Sequence, residues 1–367
     1  MKTLPMLLGA LVVVVWNAIT PITPLGAQPI AQPKDKDKPT IAVIATGGTI
    51  AGTAASPSQA AYRPAQLAVE TLLAAVPQLE DVAQLQGIQL SNIASQAMNH
   101  CVWLQLAQCI DSLLTAGYDA VVVTHGSDTM EETAYFLQLT VPHTNPVVLV
   151  GAMRPANGLG ADGPMNLYNA VCLAASPQAH GKGVMLVMND YIYSADDVVK
   201  VNTVNPNAFA CPNYGPLGTM RNGIPCFYRE PMARHTAESR FSIRKVQQMP
   251  VAQWPYVEIL VSYANAEGKL AQAALDQGAE GLVLAGVGHG NTSPALWSVL
   301  EQAISQGVCV VRSTRVLAGG VTTALEDNRE GQVAAYYKSP QRARILLMLA
   351  LMQTRDFGEI QEIFRTY

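Results

Sequence analysis

From residue 40 onward, short unbroken apolar runs alternate with longer stretches in which apolar residues recur every three or four positions. The runs Thr40–Ala45, Ala120–Thr124, Pro146–Val150 and Gly183–Met188 are rich in Val, Ile and Leu at consecutive positions. Such runs predict strands covered on both faces, and hence a parallel sheet. Between them the spacing predicts helices over Pro64–Ala75, Val102–Ala116, Thr129–Leu139 and Met165–Ala175. This βαβα succession predicts an α/β fold with an open, doubly wound, mainly parallel sheet. The rhythm breaks over 227–255, which is polar, charged and bounded by prolines. It resumes with strand Tyr256–Tyr263, helix Lys269–Gln277, strand Gly281–Ala285, helix Pro294–Gln306, strand Val308–Arg312 and helix Gln341–Gln353, ahead of a last segment, Gly358–Phe364. The expectation is a larger N-terminal domain over 40–226, a linker over 227–255, and a smaller C-terminal α/β domain over 256–367.

The first residues follow a different pattern. Lys2 precedes the apolar stretch Leu4–Ile19, and Pro21, Pro24 and Gly26-Ala27 follow it. That order predicts a secretory signal peptide over 1–27, although Leu25 is not the small residue preferred at the −3 position of a cut after Ala27. The run is shorter than the roughly 20 residues a spanning helix needs, which argues against a stable membrane anchor. Residues 28–39, "QPIAQPKDKDKP", read as a polar tether.

Composition changes this picture little. With 49% hydrophobic and 14% charged residues, the chain can fill a sizeable core. The net charge of −4 and the lack of a Lys/Arg run give no footprint for nucleic acid. Cys101, Cys109, Cys172, Cys211, Cys226 and Cys309 form no C-x-x-C pair. Export would permit disulfides, but a chain of this size can do without them, and most of the six read as small core hydrophobes. The histidines show no metal-ligand spacing, and His125 in "VTHGS" reads as a packed, hydrogen-bonded ring.

In open α/β sheets ligands sit at the carboxyl ends of strands. There the first strand leaves through "ATGGTIAG", residues 45–52. Gly47 and Gly48 let the chain bend and let a ligand approach the main chain. Thr46 and Thr49 offer hydroxyls, either for chemistry or merely to satisfy nearby backbone. The second predicted strand runs into "THGSDTMEETAYF", where Asp128 with Glu131, and Thr129 with Glu132, have the spacing of a helix start. Ser127 and Asp128 therefore fall where free N–H groups and the positive end of a helix dipole point outward. Asp128 is equally a plain N-cap on this reading. Lys200, after the fourth strand, is close enough in sequence to reach the same edge; by itself it reads as a surface charge beside Asp196 and Asp197.

Taken together, "ATGGTIAG", "VVVTHGSDTMEETAYF", "VGAMRP", "ADGPMNLYNAV", "VMNDYIY" and "NYGPLG" resemble the bacterial L-asparaginase family, from about residue 40 to the C-terminus. With the signal peptide, the resemblance implies the exported, type II branch and a periplasmic location. It also implies hydrolysis of L-asparagine to L-aspartate and ammonia through a threonine acyl-enzyme, with L-glutamine as a minor substrate. Neither metal nor organic cofactor would be needed. The assembly would be a homotetramer, a dimer of intimate dimers with sites shared across subunits. On this resemblance Thr49 matches the nucleophile, and Tyr62 the tyrosine that closes over substrate and polarises it. Ser95 and Gln96 of "NIASQAMN" match binders of the α-carboxylate, and Asp128 matches the binder of the α-ammonium. Ser127, Lys200 and Asp128 match a threonine–lysine–aspartate relay. Asn291 and Glu326 match residues lent across the dimer interface, and Asn291 resembles the form in asparagine-preferring members.

Three positions depart from that pattern. Ser127 lacks the methyl that fixes a threonine rotamer. Ala97 stands where the family often has Asp. Asp196 stands where Arg is common, which reverses a charge a few residues from Lys200. Two rival readings share some features: an exported amino-acid-binding protein without turnover, and a transamidating subunit acting on charged transfer RNA. The Thr-Gly-Gly-Thr loop argues against the first; the export signal and the absence of basic runs argue against the second.

Overall fold

The computed structural model describes residues 38–56, 62–63, 66–323 and 331–367. The expected signal peptide, most of the tether, Glu326 and the side chain of Tyr62 lie outside the described residues.

Strand β1 (Thr40–Gly47) is buried at every position after Thr40. A two-residue antiparallel pair follows, β2 (Thr53–Ala54) with β3 (Tyr62–Arg63). Short helices α1 (Val69–Ala74) and α2 (Leu79–Val82) lead to strand β4 (Gln84–Ile93). Helix α3 (His100–Thr115), strand β5 (Ala120–Thr124), helix α4 (Met130–Thr140), strand β6 (Val147–Val150), helix α5 (Gly163–Ala175) and strand β7 (Val184–Met188) continue the alternation. Then come β8 (Tyr191–Ser194), the small hairpin of β9 (Val199–Lys200) and β10 (Phe209–Ala210), and strands β11 (Gly218–Arg221) and β12 (Ile224–Phe227).

Eight strands form one sheet in the order β12-β11-β8-β7-β6-β5-β1-β4. It is parallel from β4 to β7 and antiparallel from β7 to β12. Alternate residues enter different cores. Ala42, Ile44, Val121 and Val123 join the core that holds Trp103 of α3 and Phe136 of α4. Ile41, Val43, Val122 and Val148 join the one that holds Leu167 and Val171 of α5. Both faces are thus covered by helices, which is why the strands read as continuous apolar runs.

The second sheet runs β13 (Val257–Val261), β14 (Gly281–Gly286), β15 (Cys309–Thr314), β16 (Gln332–Ala334), all parallel. Helices α7 (Lys269–Asp276), α8 (Pro294–Ser305), α9 (Pro340–Leu351) and α10 (Phe357–Thr366) accompany it, with α6 (Ile243–Val246) in the stretch before it. Helix α9 is buried from Ile345 to Leu351 because it packs between β13–β14 and α4.

Several elements differ from expectation, each for a physical reason. Strand β4 has no apolar run, since as an edge strand it is mostly half-exposed and carries "QLQGIQLSNI". Helix α1 begins at Val69, not Pro64, because the Gln66 and Leu67 amides are both given to the Ala51 carbonyl. Strands β8, β11 and β12 are four residues each and β16 three, too short to make a pattern. Within the polar stretch 227–255, Phe241, Ile243, Val246 and Trp254 are buried in the main core, and Trp254 stacks 6.0 Å from Phe136. No disulfide forms among the described residues, and Cys172, Cys211 and Cys309 are buried.

In the strand order β6-β5-β1-β4, the connection from β1 runs to β4 on one side and that from β5 runs to β6 on the other. A strand order of this kind opens a crevice at the carboxyl ends of β1 and β5.

Candidate active site

Three loops meet main chain to main chain at that crevice. Gly48 has φ of 85°, and a Cβ there would lie 2.3 Å from the Gly126 Cα. A Cβ on Gly126 would in turn lie 2.8 Å from the Ser95 Cβ. The Gly48 amide donates to the Ile93 carbonyl at 3.1 Å, and the Thr46 hydroxyl to the Thr124 carbonyl at 2.9 Å. The room left by the glycine at 48 is therefore taken by another loop's backbone, not kept for a ligand as its sequence suggested. Thr46 serves the bland role of satisfying backbone. Thr49 opens a short 3-10 turn, Thr49–Ala51, and is buried directly after this junction.

From β5 the chain turns through His125-Gly126-Ser127-Asp128 into α4. The helix starts at Met130 after Thr129, with no side-chain cap. Neither predicted cap pairing forms, because the polar side chains reach outward. The Thr129 hydroxyl donates to the Ser95 carbonyl at 2.8 Å, and the Asp128 amide donates to Ser95 Oγ at 3.3 Å. One of the donors expected to be free at this helix start is thus already used. Ser95 Oγ accepts here but keeps its own O–H to donate.

Lys200, at the end of β9, reaches this turn from the β9–β10 hairpin. Its Nζ donates to Ser127 Oγ at 2.8 Å and to Asp128 Oδ1 at 2.5 Å. The Lys200 side chain is only 16% exposed, whereas Asp128 is 62% exposed and open to a second cation. The Lys200 amide donates to Glu131 Oε2 at 2.6 Å. Desolvation by burial raises the Glu131 carboxyl above its usual range, and the Lys200 amide opposes that rise.

Behind the turn runs a buried chain of hydrogen bonds. Trp103 Nε1 meets Thr133 Oγ1 at 2.8 Å, Thr133 Oγ1 meets His125 Nε2 at 2.9 Å, and His125 Nδ1 meets the Gly126 carbonyl at 2.7 Å. A carbonyl can only accept, so Nδ1 carries the proton, Nε2 accepts, Thr133 donates to it, and Trp103 donates to Thr133. Complete burial holds the imidazole neutral, lowering its pKa to about 4. His125 is the packed ring its sequence context suggested, and it fixes the carbonyl of the glycine that touches Gly48.

The other candidates are more dispersed. Ser95 and Gln96 share the 3-10 turn Ser95–Ala97; Ser95 is buried and Gln96 exposed. Ala97 is exposed in the same turn, and Asn99, two positions on, caps α3 by accepting the Val102 amide at 3.2 Å. Asn291 is exposed after β14, where its backbone bridges to Val287. Among the described residues its side chain has no hydrogen bond to Ser95, Ser127, Asp128 or Lys200. Tyr62 lies in β3, paired with Ala54 through its backbone. Asp196 is buried, with neither carboxylate oxygen hydrogen-bonded among the described residues. Its field acts on Tyr135, Cys211, Tyr214, His235 and Lys338. Burial lowers Lys338 to about 7, and Asp196 pulls against that change.

No group of three or more His, Cys, Asp or Glu residues among those described could hold a metal ion, and no described helix is long and apolar enough to cross a membrane. Glu131, Thr133 and Trp103 were not legible as part of this site. The one available signal was Glu131 in the cap spacing, and it pointed to a different bond.

A mainly parallel sheet with hydroxyl, amine and carboxylate groups gathered at its switch point defines an α/β enzyme of the hydrolase kind. Two family models match the chain: Asparaginase, N-terminal, over residues 40–233, and the Glutaminase/Asparaginase C-terminal domain over residues 256–364. The chain belongs to the asparaginase family. It is 46% identical over 331 residues to L-asparaginase 2 of Escherichia coli (strain K12), covering 90% of this chain and 93% of that protein. It is 45% identical over 333 residues to a probable periplasmic L-asparaginase of Haemophilus influenzae, covering 90% and 94%. A glutaminase-asparaginase of Pseudomonas fluorescens biotype A is 40% identical over 332 residues, covering 89% and 90%. Among solved structures, a probable cytoplasmic L-asparaginase from Campylobacter jejuni superposes with a TM-score of 0.86 at 44% identity, covering 90% of this chain and all of that one.

Proposed function

We propose that this chain hydrolyses L-asparagine to L-aspartate and ammonia through an ester on Thr49, with L-glutamine as a minor substrate. The observation that carries the reading is the Ser127–Lys200–Asp128 constellation at the switch point beside the buried Thr49 turn. An alkyl hydroxyl is a weak nucleophile until its proton has somewhere to go. Thr49 Oγ bonds to the side-chain carbonyl carbon, and the C–N bond breaks. The Thr49 proton goes to the departing nitrogen, so that ammonia leaves neutral. Water then attacks the ester, one of its protons returns to Thr49 Oγ, and aspartate is released. Tyr62 closes over Thr49 in the first half. In both halves Lys200, held as a donor on Ser127, polarises that hydroxyl.

A zwitterionic substrate needs a carboxylate for its ammonium and donors for its carboxylate. The exposed Asp128 supplies the first, with Glu326, and the remaining Ser95 O–H with Gln96 supplies the second. In this reading Asn291 and Glu326 belong to a neighbouring subunit's site, which requires an intimate dimer, and the family resemblance extends this to a homotetramer of two such dimers. The division at 227–255 separates a nucleophile-bearing domain from one that completes the partner's site. The signal-peptide pattern of residues 1–27 supports export to the periplasm, and the Haemophilus influenzae relative is named a probable periplasmic L-asparaginase.

The test is Thr49→Ala assayed against L-asparagine and L-glutamine beside the wild type. Turnover should fall by about 10³-fold or more while aspartate still binds. Retained turnover would end the nucleophile assignment, and aspartate binding without turnover in the wild type would favour the amino-acid-binding reading.

A further inference from the structure

We propose that Glu131 is a positioning residue for Lys200, holding the lysine's main chain so that its Nζ reaches Ser127. The proposal rests on the reading of Lys200 as part of the reaction machinery. In the hairpin of β9 and β10, the Val201 amide goes to the Ala208 carbonyl at 2.7 Å. Antiparallel alternation then turns the Lys200 amide away from β10, towards α4. There Glu131 Oε2 accepts it at 2.6 Å, a short bond with a charged acceptor. The same turn of chain takes the other end of the lysine, through Ser127 at 2.8 Å and Asp128 at 2.5 Å. Residues 127, 128 and 131 thus clasp Lys200 at its amide and at its ammonium. A third tie comes from the C-terminal region, where buried Arg342 donates to the Val198 carbonyl at 3.0 Å.

The cost of this arrangement indicates its role. Glu131 forgoes the cap spacing with Asp128, α4 starts uncapped, and the carboxylate is half-buried. A hairpin with only two residues in each strand cannot fix the position of a long side chain unaided. Lysine has four rotatable side-chain bonds, so a loose backbone would disperse Nζ over several ångströms. Misplacement of about 1 Å can cost on the order of 10²-fold in rate.

The test compares Glu131→Gln and Glu131→Ala in the full-length enzyme. Glutamine retains the accepting oxygen and removes the charge, and alanine removes both. Glu131→Ala should lower kcat for asparagine by roughly 10- to 100-fold with KM within about threefold, and Glu131→Gln should restore kcat to within about threefold of wild type. Equal loss in both variants, or none in the alanine variant, overturns the proposal. Hydrogen exchange at the Lys200 amide separates this result from the catalytic reading. It should quicken at least tenfold in Glu131→Ala and not in Glu131→Gln, whatever Lys200 does in the reaction. Unchanged exchange in the alanine variant removes the clasp. Full activity in Lys200→Met with quickened exchange in Glu131→Ala instead removes the role of Lys200 in catalysis and leaves the clasp standing.

Discussion

Gly48 and Gly126 touch backbone to backbone: a Cβ on Gly48 would stand 2.3 Å from the Cα and N of Gly126. Two strand exits separated by 78 positions in the chain are locked together by this contact and by the Thr46 hydroxyl, which donates to the Thr124 carbonyl. This contact sits beside a second tie between the two loops through residues 93–95, where Ile93 accepts the Gly48 amide and Ser95 holds Asp128 and Thr129.

Gly48→Ala therefore meets two penalties at once, a left-handed φ of 85° and a collision with rigid main chain. The expected loss of stability is about 3 kcal/mol, together with the loss of asparagine turnover. Urea denaturation midpoints and an ammonia-release assay on the soluble fraction check it. An unchanged midpoint would contradict the packing of these two loops.

Lys200→Met separates activity from stability. The Lys200–Asp128 pair has one partner well exposed, so breaking it should cost no more than about 1 kcal/mol. Turnover should nevertheless drop by roughly 10²- to 10⁴-fold, the range general acid–base groups supply. Steady-state kinetics beside thermal melting checks both halves. A large fall in melting temperature with little change in kcat would assign the lysine to structure.

His125 makes stability depend on pH in a definite direction. Its folded pKa, about 4, lies below the ordinary value of 6.5. Above pH 6.5 both states are neutral and the ring adds no pH dependence. Between 6.5 and about 4 the unfolded chain takes up a proton that the folded one refuses, so stability falls as pH falls. The full loss is on the order of 3 kcal/mol. His100, also lowered to about 4 by burial and by the charge of Arg344, acts in the same window. Urea midpoints measured from pH 7 to pH 4 should slope less in His125→Asn than in wild type, by roughly half. Parallel slopes would mean that His125 titrates normally.

Relative to its sequence, the molecule divides along a clear line. The apolar runs of β1, β5, β6 and β7 are continuous because each strand is covered on both faces, and burial of that kind is written locally, residue by residue. So is the Thr-Gly-Gly-Thr exit, because a left-handed backbone demands glycine wherever the chain goes next. The sequence by itself therefore determined the parallel α/β architecture and the loops that bear Thr49, Ser127 and Asp128. It did not determine what those loops touch. Asp128 and Glu131 have the spacing of a helix cap, yet Glu131 bonds to an amide 69 positions away, and Asp128 pairs with a lysine 72 positions away. Asp196 lies four positions before Lys200 in the chain, but its field acts on Lys338. A side chain's nearest neighbour in sequence competes with any group that folding brings within hydrogen-bond reach, and only the tertiary structure decides which of them wins.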